Sequence, residues 1–251
     1  MQLAKRNYGW RPDKLDHRDY RFVPSRAALR RLPSSIDLAK FAPPVMDQGA
    51  VGSCTGCSSS AGYEFTAKKQ GNPFAGSALF AYWNARSYIG ETGYDSGAEI
   101  RDAIKGLNEF GLAAEKTWPY LASKTTKKPT AKAFKEGLLH QALRDERVDN
   151  SDVQNIKAAL AEQCPVVFGF TVYPSFERIG SSGVMPMPKK SEKPLGGHAV
   201  LAVGYDDKTE RVKVLNSWGK SWGKGGYFFM PYAFITDTTC ADDFWKIQGV
   251  E

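Results

Sequence analysis

The spacing of apolar residues along the chain changes near Pro165. Before it, apolar residues recur at helical spacing in residues 77–88 and 98–110, and a capping-box pattern at residues 151–154 predicts a further helix start. After it, short strand-like segments alternate with turns that contain Gly, Pro or Asp. These predicted strands are residues 166–172, 199–205, 211–215 and 227–230. A helical half followed by a strand-rich half predicts an α+β protein with two lobes.

This pattern divides the chain into three parts. Residues 1–32 mix aromatic and charged side chains without helical or strand periodicity. We interpret them as an N-terminal extension that either drapes over the body or plugs a cleft as a short propeptide. The dibasic pair Arg30–Arg31 would make an accessible cutting point, although such pairs are common. Residues 33–148 are expected to form a mainly helical lobe, with a polar linker at residues 121–136, and residues 149–251 a mainly β lobe.

One cysteine lies where a helix is expected to begin. Two glycines and Ser53 precede Cys54, and residues 58–69 are compatible with a helix that stops near Gly71. The free N–H groups and the positive dipole end of a helix N-terminus favour an anion, and a cysteine attacks carbonyl carbon only as its thiolate. Cys54 is therefore a candidate nucleophile that needs a general base.

His198 is the candidate base among the three histidines of the chain. It follows two glycines and begins a predicted strand, which would hold the imidazole on a rigid element. Asn216 ends the next predicted strand, and its amide oxygen can accept from the imidazole N–H and fix the tautomer. Trp218 can shield that hydrogen bond from water. We interpret His17 and His140 as ordinary surface or core histidines.

Three blocks of sequence resemble those of the papain-like cysteine peptidases. The blocks are Gln-Gly-x-x-Gly-Ser-Cys at residues 48–54, His-Ala-Val-x-Ala-Val-Gly-Tyr at residues 198–205, and Asn-Ser-Trp-Gly-x-x-Trp-Gly-x-x-Gly-Tyr at residues 216–227. They occur in the family's order. His198 lies within the family's spacing of roughly 130–150 residues from the nucleophile, and Asn216 lies slightly beyond it. The resemblance covers roughly residues 33–251.

The resemblance implies a two-lobe fold, with a helical left lobe, an antiparallel β-barrel-like right lobe and the active site in the cleft between them. It implies that Cys54 is the nucleophile, that His198 is the base and then the acid, and that Asn216 orients His198. Gln48 would donate to the oxyanion beside the backbone N–H of Cys54. Gly97 matches the turn glycine that pairs with extended substrate backbone in the family.

The resemblance also implies where the main specificity pocket lies, which takes the side chain two residues before the cleaved bond. We expect Gly197 and Ala199 to contribute to substrate binding. An acidic floor from Asp242 or Asp243 would accept basic side chains, whereas Trp245 in that position would accept only small or flat ones. The sequence leaves these alternatives open.

The chain departs from the family pattern around its nucleophile. Thr55 stands where the family usually has Trp, Val51 where it usually has Cys, and Cys57 where an apolar residue is common. These departures put the usual disulfides in doubt, and at most one bridge remains among Cys57, Cys164 and Cys240 if the nucleophile stays free. They favour a bacterial-type branch of the family, similar to xylellain.

The resemblance implies a cysteine endopeptidase that works through a thiolate–imidazolium pair and an acyl-enzyme. Residues 1–32 would keep this enzyme latent by occupying the cleft. One alternative is a binding protein on a catalytically retired peptidase fold. A weaker alternative is a redox or metal-binding protein that uses Cys54 and Cys57 as a CxxC pair, but no βαβ context precedes the motif and no second pair of metal ligands exists. We expect no metal and no cofactor.

Composition narrows the choice of partners. The chain has 251 residues, 42% of them hydrophobic, which is enough for a sizeable core. The net charge of +7 is spread along the chain rather than gathered into a nucleic-acid-binding module. No signal-like or membrane-spanning apolar segment occurs. We expect a soluble monomer that acts on peptides or proteins, without nucleic-acid or membrane partners. Its compartment is left open, as cytoplasmic or exported after removal of an unseen signal.

Overall fold

The computed structural model describes residues 6–14 and 16–251, so residues 1–5 and 15 of the predicted extension lie outside the described residues. Short strands precede a group of longer ones in the second half of the chain. The strands are β1 (Trp10–Arg11), β2 (Ser35–Asp37), β3 (Ala98–Glu99), β4 (Ala142–Val148), β5 (Val166–Val172), β6 (Gly196–Asp206), β7 (Arg211–Leu215), β8 (Tyr227–Pro231) and β9 (Ala241–Val250).

The longer helices belong to the first two thirds of the chain. The helices are α1 (Arg26–Leu29), α2 (Cys54–Lys69), α3 (Ala78–Ser87), α4 (Ile100–Glu109), α5 (Ala131–Gly137), α6 (Val153–Ala161), α7 (Pro174–Glu177) and α8 (Tyr232–Ile235), with 3₁₀ turns at Ala39–Phe41, Ala122–Lys124 and Gly180–Ser182. Within the described ranges, none of them is long and apolar enough to cross a membrane.

Seven strands form one antiparallel sheet in the order β4-β9-β5-β6-β7-β8, with β2 paired to β6 as well. All four predicted strands are present in it. β2, β4 and β9 were not predicted. The sequence of β4, Ala-Leu-Arg-Asp-Glu-Arg-Val, is mostly polar because only its two ends are buried, so it carries no alternating apolar pattern.

Helix α2 lies between the helices and the sheet, and this position explains its sequence. It packs against α3 on one side and against β6 and β9 on the other, so most of its residues are buried. A Cβ atom at Gly56 would lie 2.5 Å from the carbonyl oxygen of Ala78, and one at Gly62 would lie 2.9 Å from Ile247. Small residues in α2 therefore allow two close approaches, and these fix the position of Cys54 at its first turn.

The predicted helices from residues 77 and 98 are confirmed with slightly shorter bounds, and two predictions need correction. The polar linker predicted at residues 121–136 contains a 3₁₀ turn and helix α5, because Ala133 is buried and Phe134 packs in an aromatic group with Phe80. The cap of α6 is Asp152 rather than Ser151, since the Asp152 carboxylate accepts from the backbone N–H of Gln154 at 2.9 Å.

The extension has regular structure despite its irregular sequence. Strand β1 pairs in parallel with β3, with Trp10 opposite Ala98. Farther along, Phe22 is buried and its N–H donates to the carbonyl oxygen of Arg147 at 2.9 Å. Tertiary contacts, rather than local periodicity, order this part of the chain.

Candidate active site

Cys54 is the first residue of α2 and is fully buried. Burial raises the pKa of its thiol to about 11, against a smaller lowering effect of nearby backbone groups, those of Ala199, Gly9 and Thr55 among them. The predicted location at a helix N-terminus is confirmed. With the cleft in the state seen here, however, the thiol is neutral at pH 7 rather than ionised.

His198 lies on β6 and forms a hydrogen bond between its Nε2 and the Oδ1 atom of Asn216 at 2.7 Å. The same oxygen accepts the Ser217 N–H at 2.8 Å, so it acts as an acceptor and Nε2 carries the proton. In the neutral imidazole, Nδ1 then has a free lone pair, and within the described residues it has no hydrogen-bond partner. Burial lowers the pKa of His198 to about 4, with a smaller opposing effect from Asn216.

The Trp218 ring covers the imidazole, with 4.8 Å between the two ring centroids. It is buried, and the Arg6 guanidinium lies 4.3 Å from its centroid on the side of the extension. The sequence predicted a shielding role for Trp218, and its placement against His198 supports that role.

The Gln48 side chain is held at both ends of its amide. Its Oε1 accepts from the Ser217 hydroxyl at 2.6 Å, and its Nε2 donates to the carbonyl oxygen of Val51 at 2.8 Å. An amide nitrogen has two N–H groups, so one remains available to an oxyanion. Gln48 and Ser217 are also joined through their backbones, since the Gln48 N–H donates to the Ser217 carbonyl oxygen at 2.9 Å.

Sequence analysis missed Tyr120, which joins the loop before Cys54 to the helical lobe. Its hydroxyl donates to the carbonyl oxygen of Gln48 at 3.1 Å and lies 2.5 Å from the Ser53 hydroxyl. The Tyr120 N–H in turn donates to the Glu115 carboxylate at 2.6 Å. Nothing in the Trp-Pro-Tyr segment that contains Tyr120 signals this contact. Ser217, another missed residue, lies inside a predicted block.

The cleft between Cys54 and the sheet is occupied by residues of the extension. A Cβ atom at Gly9 would lie 1.7 Å from the carbonyl oxygen of Gly52, so only a glycine fits there. The Gly9 carbonyl oxygen accepts from the Ala98 N–H at 2.8 Å. Gly97, with φ +74°, lies directly against this carbonyl. The predicted substrate-binding residue Gly97 therefore contacts the extension in this state.

Trp10 fills a pocket next to the cleft. Its indole ring lies against Gly169, and both its ring and its carbonyl oxygen lie against Gly197. Its Nε1 donates to the Asp243 Oδ2 atom at 3.0 Å. Gly197 thus contacts the extension, whereas the backbone of Ala199 lowers the pKa of the Cys54 thiol against the larger effect of burial.

Of the alternatives for the floor of this pocket, Asp243 is the residue that reaches it. The Asp243 side chain is fully buried, whereas that of Asp242 is 49% exposed. The Trp245 indole nitrogen instead donates to the Asp13 carboxylate at 2.9 Å. Asp243 adopts a left-handed backbone conformation with φ +59°, which turns its side chain toward Trp10.

Charged groups anchor the extension beyond the pocket. Arg147 lies 3.1 Å from the Asp13 carboxylate and 2.7 Å from that of Asp243, and Arg101 lies 2.6 Å from Asp19. Burial and the nearby Asp243 charge raise the pKa of Asp13 to about 7. Burial also raises the pKa of Asp243. The anchor therefore brings two buried carboxylates close together.

Cys57 is buried on α2, and its sulfur lies 3.7 Å from the Ser53 hydroxyl. All four cysteines lie in described parts of the chain, and all four are unpaired. Among the described residues, no group of three metal-ligating side chains is gathered. The structure therefore brings Cys54, His198, Asn216 and Gln48 to one cleft and leaves Cys57 behind it.

Comparisons with known proteins agree with this geometry. The family model described as papain family cysteine protease matches residues 32–241. The crystal structure of xylellain, a cysteine protease from Xylella fastidiosa, matches with a TM-score of 0.92 and 39% identity, over 100% of this chain and 99% of that one. The uncharacterized peptidase C1-like protein L477 of Acanthamoeba polyphaga mimivirus is 36% identical over 98% of this chain and 88% of its own length. The predicted two-lobe fold and the similarity to xylellain are confirmed.

Proposed function

Because this chain belongs to the papain family of cysteine proteases, we propose that it is an endopeptidase whose cleft is closed by its own N-terminal extension. The observation that carries the proposal is that Cys54 begins helix α2, which packs against the strand β6 that carries the buried His198–Asn216 hydrogen bond, beside a cleft filled by Gly9 and Trp10. Peptides and proteins are the substrates of such an enzyme. We propose residues 33–148 and 149–251 as its two lobes.

The proposed reaction uses each group in a stated role. The Cys54 thiolate attacks the peptide carbonyl carbon, while the free N–H of Gln48 and the Cys54 backbone N–H stabilise the oxyanion. His198 protonates the leaving amine and then takes a proton from the water that hydrolyses the acyl-enzyme. Asn216 keeps Nε2 protonated, so that Nδ1 exchanges the proton throughout.

The extension blocks this reaction in two ways. It fills the space that a substrate backbone needs, because the backbone of Gly9 lies directly against Gly52 and Gly97. The carbonyl oxygen of Gly9 is engaged by the Ala98 N–H. The extension also excludes water from Cys54 and His198, and burial keeps both groups neutral at pH 7. Opening the cleft would return water and favour the thiolate–imidazolium pair.

The two alternatives predict other behaviour. A retired peptidase fold would keep the hydrogen bonds of Asn216 and Gln48 without a reactive thiol. A CxxC redox protein would need Cys57 to act with Cys54, but Cys57 is buried and contacts Ser53. This contact of Cys57 favours the endopeptidase over the redox protein, and the reactivity of the Cys54 thiol decides between the endopeptidase and the retired fold.

A labelling experiment separates these possibilities. Full-length protein, Gly9→Ala and Gly93→Ala are incubated with an epoxysuccinyl peptide, and covalent adducts are followed by intact-mass spectrometry. Gly93 is the matched control, since a Cβ atom there would meet nothing within 4 Å. Because Gly9→Ala overpacks the cleft, we expect it to be labelled roughly 10- to 100-fold faster than the other two.

Further variants identify the labelled group and the contrary results. Labelling of Gly9→Ala should disappear when Cys54→Ala is added. Equal labelling of all three proteins would keep the peptidase and refute its latency. No labelling of any protein, including Gly9→Ala, would favour the retired fold.

A further inference from the structure

We propose that Asp95 and Tyr82 are positioning residues for substrate binding, whose side chains hold Gly52 and Gly97 at the separation that one extended peptide backbone needs. The proposal rests on the proposed function, because it assumes that a substrate replaces the extension between these two glycines. It deepens that function by naming side chains that shape the binding site without touching the reacting atoms.

The position of Gly9 shows that Gly52 and Gly97 face the same space. A Cβ atom at Gly9 would lie 1.7 Å from the carbonyl oxygen of Gly52, and a Cβ atom at Gly97 would lie 2.4 Å from the carbonyl oxygen of Gly9. The Gly9 backbone therefore touches both glycines, and we call the space between Gly52 and Gly97 the slot. The chain in the slot leads directly into β1, which is extended and paired with β3.

A chain of three hydrogen bonds joins the two walls of the slot. The Gly52 N–H donates to the Asp95 Oδ2 atom at 2.8 Å, and the Asp95 Oδ1 atom accepts from the Tyr82 hydroxyl at 2.6 Å. The Tyr82 hydroxyl in turn accepts from the Gly97 N–H at 2.9 Å. An ionised carboxylate only accepts and a backbone N–H only donates, so the direction of each bond is fixed. Hydrogen bonds in such a chain polarise and strengthen one another.

Tyr82 connects this chain to the helix that carries the nucleophile. It lies on α3 with its side chain fully buried, and the Arg86 guanidinium lies 4.0 Å from its ring centroid. A Cβ atom at Gly56, in the first turn of α2, would lie 2.7 Å from the Tyr82 Cβ atom. The Tyr82 hydroxyl is therefore placed by close packing against the turn that begins at Cys54.

Asp95 is exposed, so its position depends on its neighbours. The buried Arg86 donates to the carbonyl oxygens of Tyr94 and Thr125. The first of these bonds holds the backbone directly before Asp95. A Cβ atom at Gly52 would lie 3.2 Å from the Asp95 Oδ1 atom, so the glycine allows the carboxylate to approach its N–H closely.

The separation of the two walls depends on contacts of this kind. All four cysteines of the chain lie in its described parts and are unpaired, so no disulfide bond holds the slot. Gly97 has φ +74°, a conformation that glycine adopts readily, and its N–H is bonded to Tyr82. A shift of about 1 Å in a binding group can cost a factor of about 10² in rate. Loss of the link should therefore weaken substrate binding while leaving the thiol itself unchanged.

The test compares two reagents that react with the same thiol. Iodoacetamide is too small to need the slot, whereas an epoxysuccinyl peptide presents an extended backbone to it. Both are applied to Gly9→Ala and to Gly9→Ala with Tyr82→Phe, and intact-mass spectrometry follows the adducts. We expect the peptide to react about tenfold more slowly in the Tyr82→Phe protein, because two hydrogen bonds are lost, and iodoacetamide to react within about twofold of the same rate. On a fluorogenic peptide, KM should rise by a larger factor than kcat falls.

Other variants of the Gly9→Ala protein provide the controls. Tyr88→Phe is the matched control, since it removes a tyrosine hydroxyl that donates to Glu109 on α4 at 2.7 Å, and both reaction rates should stay unchanged. Asp95→Ala breaks the same chain at an exposed residue, where a substitution disturbs the core less than at Tyr82, and it should slow the peptide reaction as Tyr82→Phe does. Asp95→Asn keeps an acceptor for the Gly52 N–H and should recover part of that rate.

The contrary results separate this proposal from the proposed function. Peptide reaction rates that stay unchanged in both Tyr82→Phe and Asp95→Ala would overturn the proposal. An equal fall in the rates of both reagents would also overturn it, because the two residues would then act on the nucleophile or on the fold as a whole. If the Gly9→Ala protein itself reacts with iodoacetamide but neither with the epoxysuccinyl peptide nor with the fluorogenic peptide, the proposed function is refuted instead.

Discussion

The backbone of Gly9 lies against the carbonyl oxygen of Gly52, so closely that a Cβ atom at Gly9 would lie 1.7 Å from that oxygen. The Gly9 carbonyl oxygen accepts from the Ala98 N–H at 2.8 Å, so the body of the protein holds this carbonyl. The segment therefore fills the space in front of the loop that carries Cys54. The lack of space for any side chain at Gly9 makes this position the natural place to open the cleft by mutation.

The ionisation of Cys54 should depend on the extension. With the cleft filled, the pKa of Cys54 is about 11, so roughly one thiol in ten thousand is ionised at pH 7. In Gly9→Ala the sulfur regains water, and we expect the thiolate to form at a lower pH. The measurement is the ultraviolet absorbance of the thiolate between pH 5 and 10, taken as the difference from the matching Cys54→Ala protein. The same thiolate absorbance in the two backgrounds at every pH of this range would contradict this prediction.

The extension should be released as the pH rises. Asp13 has a pKa of about 7 in the closed state, above its ordinary value of 3.8, so the closed state binds a proton more tightly than the released extension does. Closure is therefore favoured at low pH and is weakened as the pH rises from about 4 through about 7. The ratio of full-length activity to Gly9→Ala activity should increase over this range, and titration of the catalytic groups cancels in the ratio.

A matched variant isolates Asp13 in that experiment. Asp13→Asn keeps the size of the side chain but cannot titrate, so the ratio should vary much less with pH. Asp16→Asn serves as the control, because Asp16 pairs with the neighbouring Arg18 and lies outside the Arg147 cluster. A pH dependence that survived Asp13→Asn unchanged would place its origin elsewhere.

Gln48 should act in the transition state rather than in binding. In the Gly9→Ala background, Gln48→Ala removes an oxyanion donor, and we expect kcat to fall by about 10²–10³ with KM little changed. Ser217→Ala should have a smaller effect in the same direction, since it frees the Gln48 amide that it holds at 2.6 Å. Steady-state kinetics on a fluorogenic peptide measures both. A rise in KM alone would assign Gln48 to substrate binding.

Cys57 should be dispensable for catalysis. Its sulfur is buried and contacts the Ser53 hydroxyl at 3.7 Å within the protein. Cys57→Ser in the Gly9→Ala background should therefore retain activity within a few-fold, whereas Cys54→Ser should lose it. Loss of activity in Cys57→Ser, with normal folding by circular dichroism and a measurable dithiol potential, would revive the CxxC interpretation.

The sequence predicted those helices and strands whose local residue pattern reflects their surroundings in the fold. The α2 start at Cys54 and the β6 location of His198 follow from local signals, and the three family blocks predicted that they meet. The strand β9 could not be predicted, since its Asp-Asp-Phe-Trp-Lys segment contains the buried Asp243 and Lys246, which are polar residues paired with distant partners. Burial of charge is decided by the fold and not by the local pattern.

The contacts of the extension could not be predicted from the sequence either. Its aromatic residues suggested a plug, but the fit of Trp10 depends on two glycines that lie more than a hundred residues away. The role of Tyr120 depends on a loop that returns to Gln48 from the other side of the helical lobe. Such relationships have no period and no motif, because they arise only when separate segments pack together.

The position of Asp243 links the extension to the interior of the sheet. Its carboxylate accepts from Trp10 of the extension and from Arg147 of the body, and its side chain is fully buried. Loss of the extension would therefore remove a hydrogen bond from a buried charged group. The segment that closes the cleft thus also contributes to the conformational stability of the β lobe.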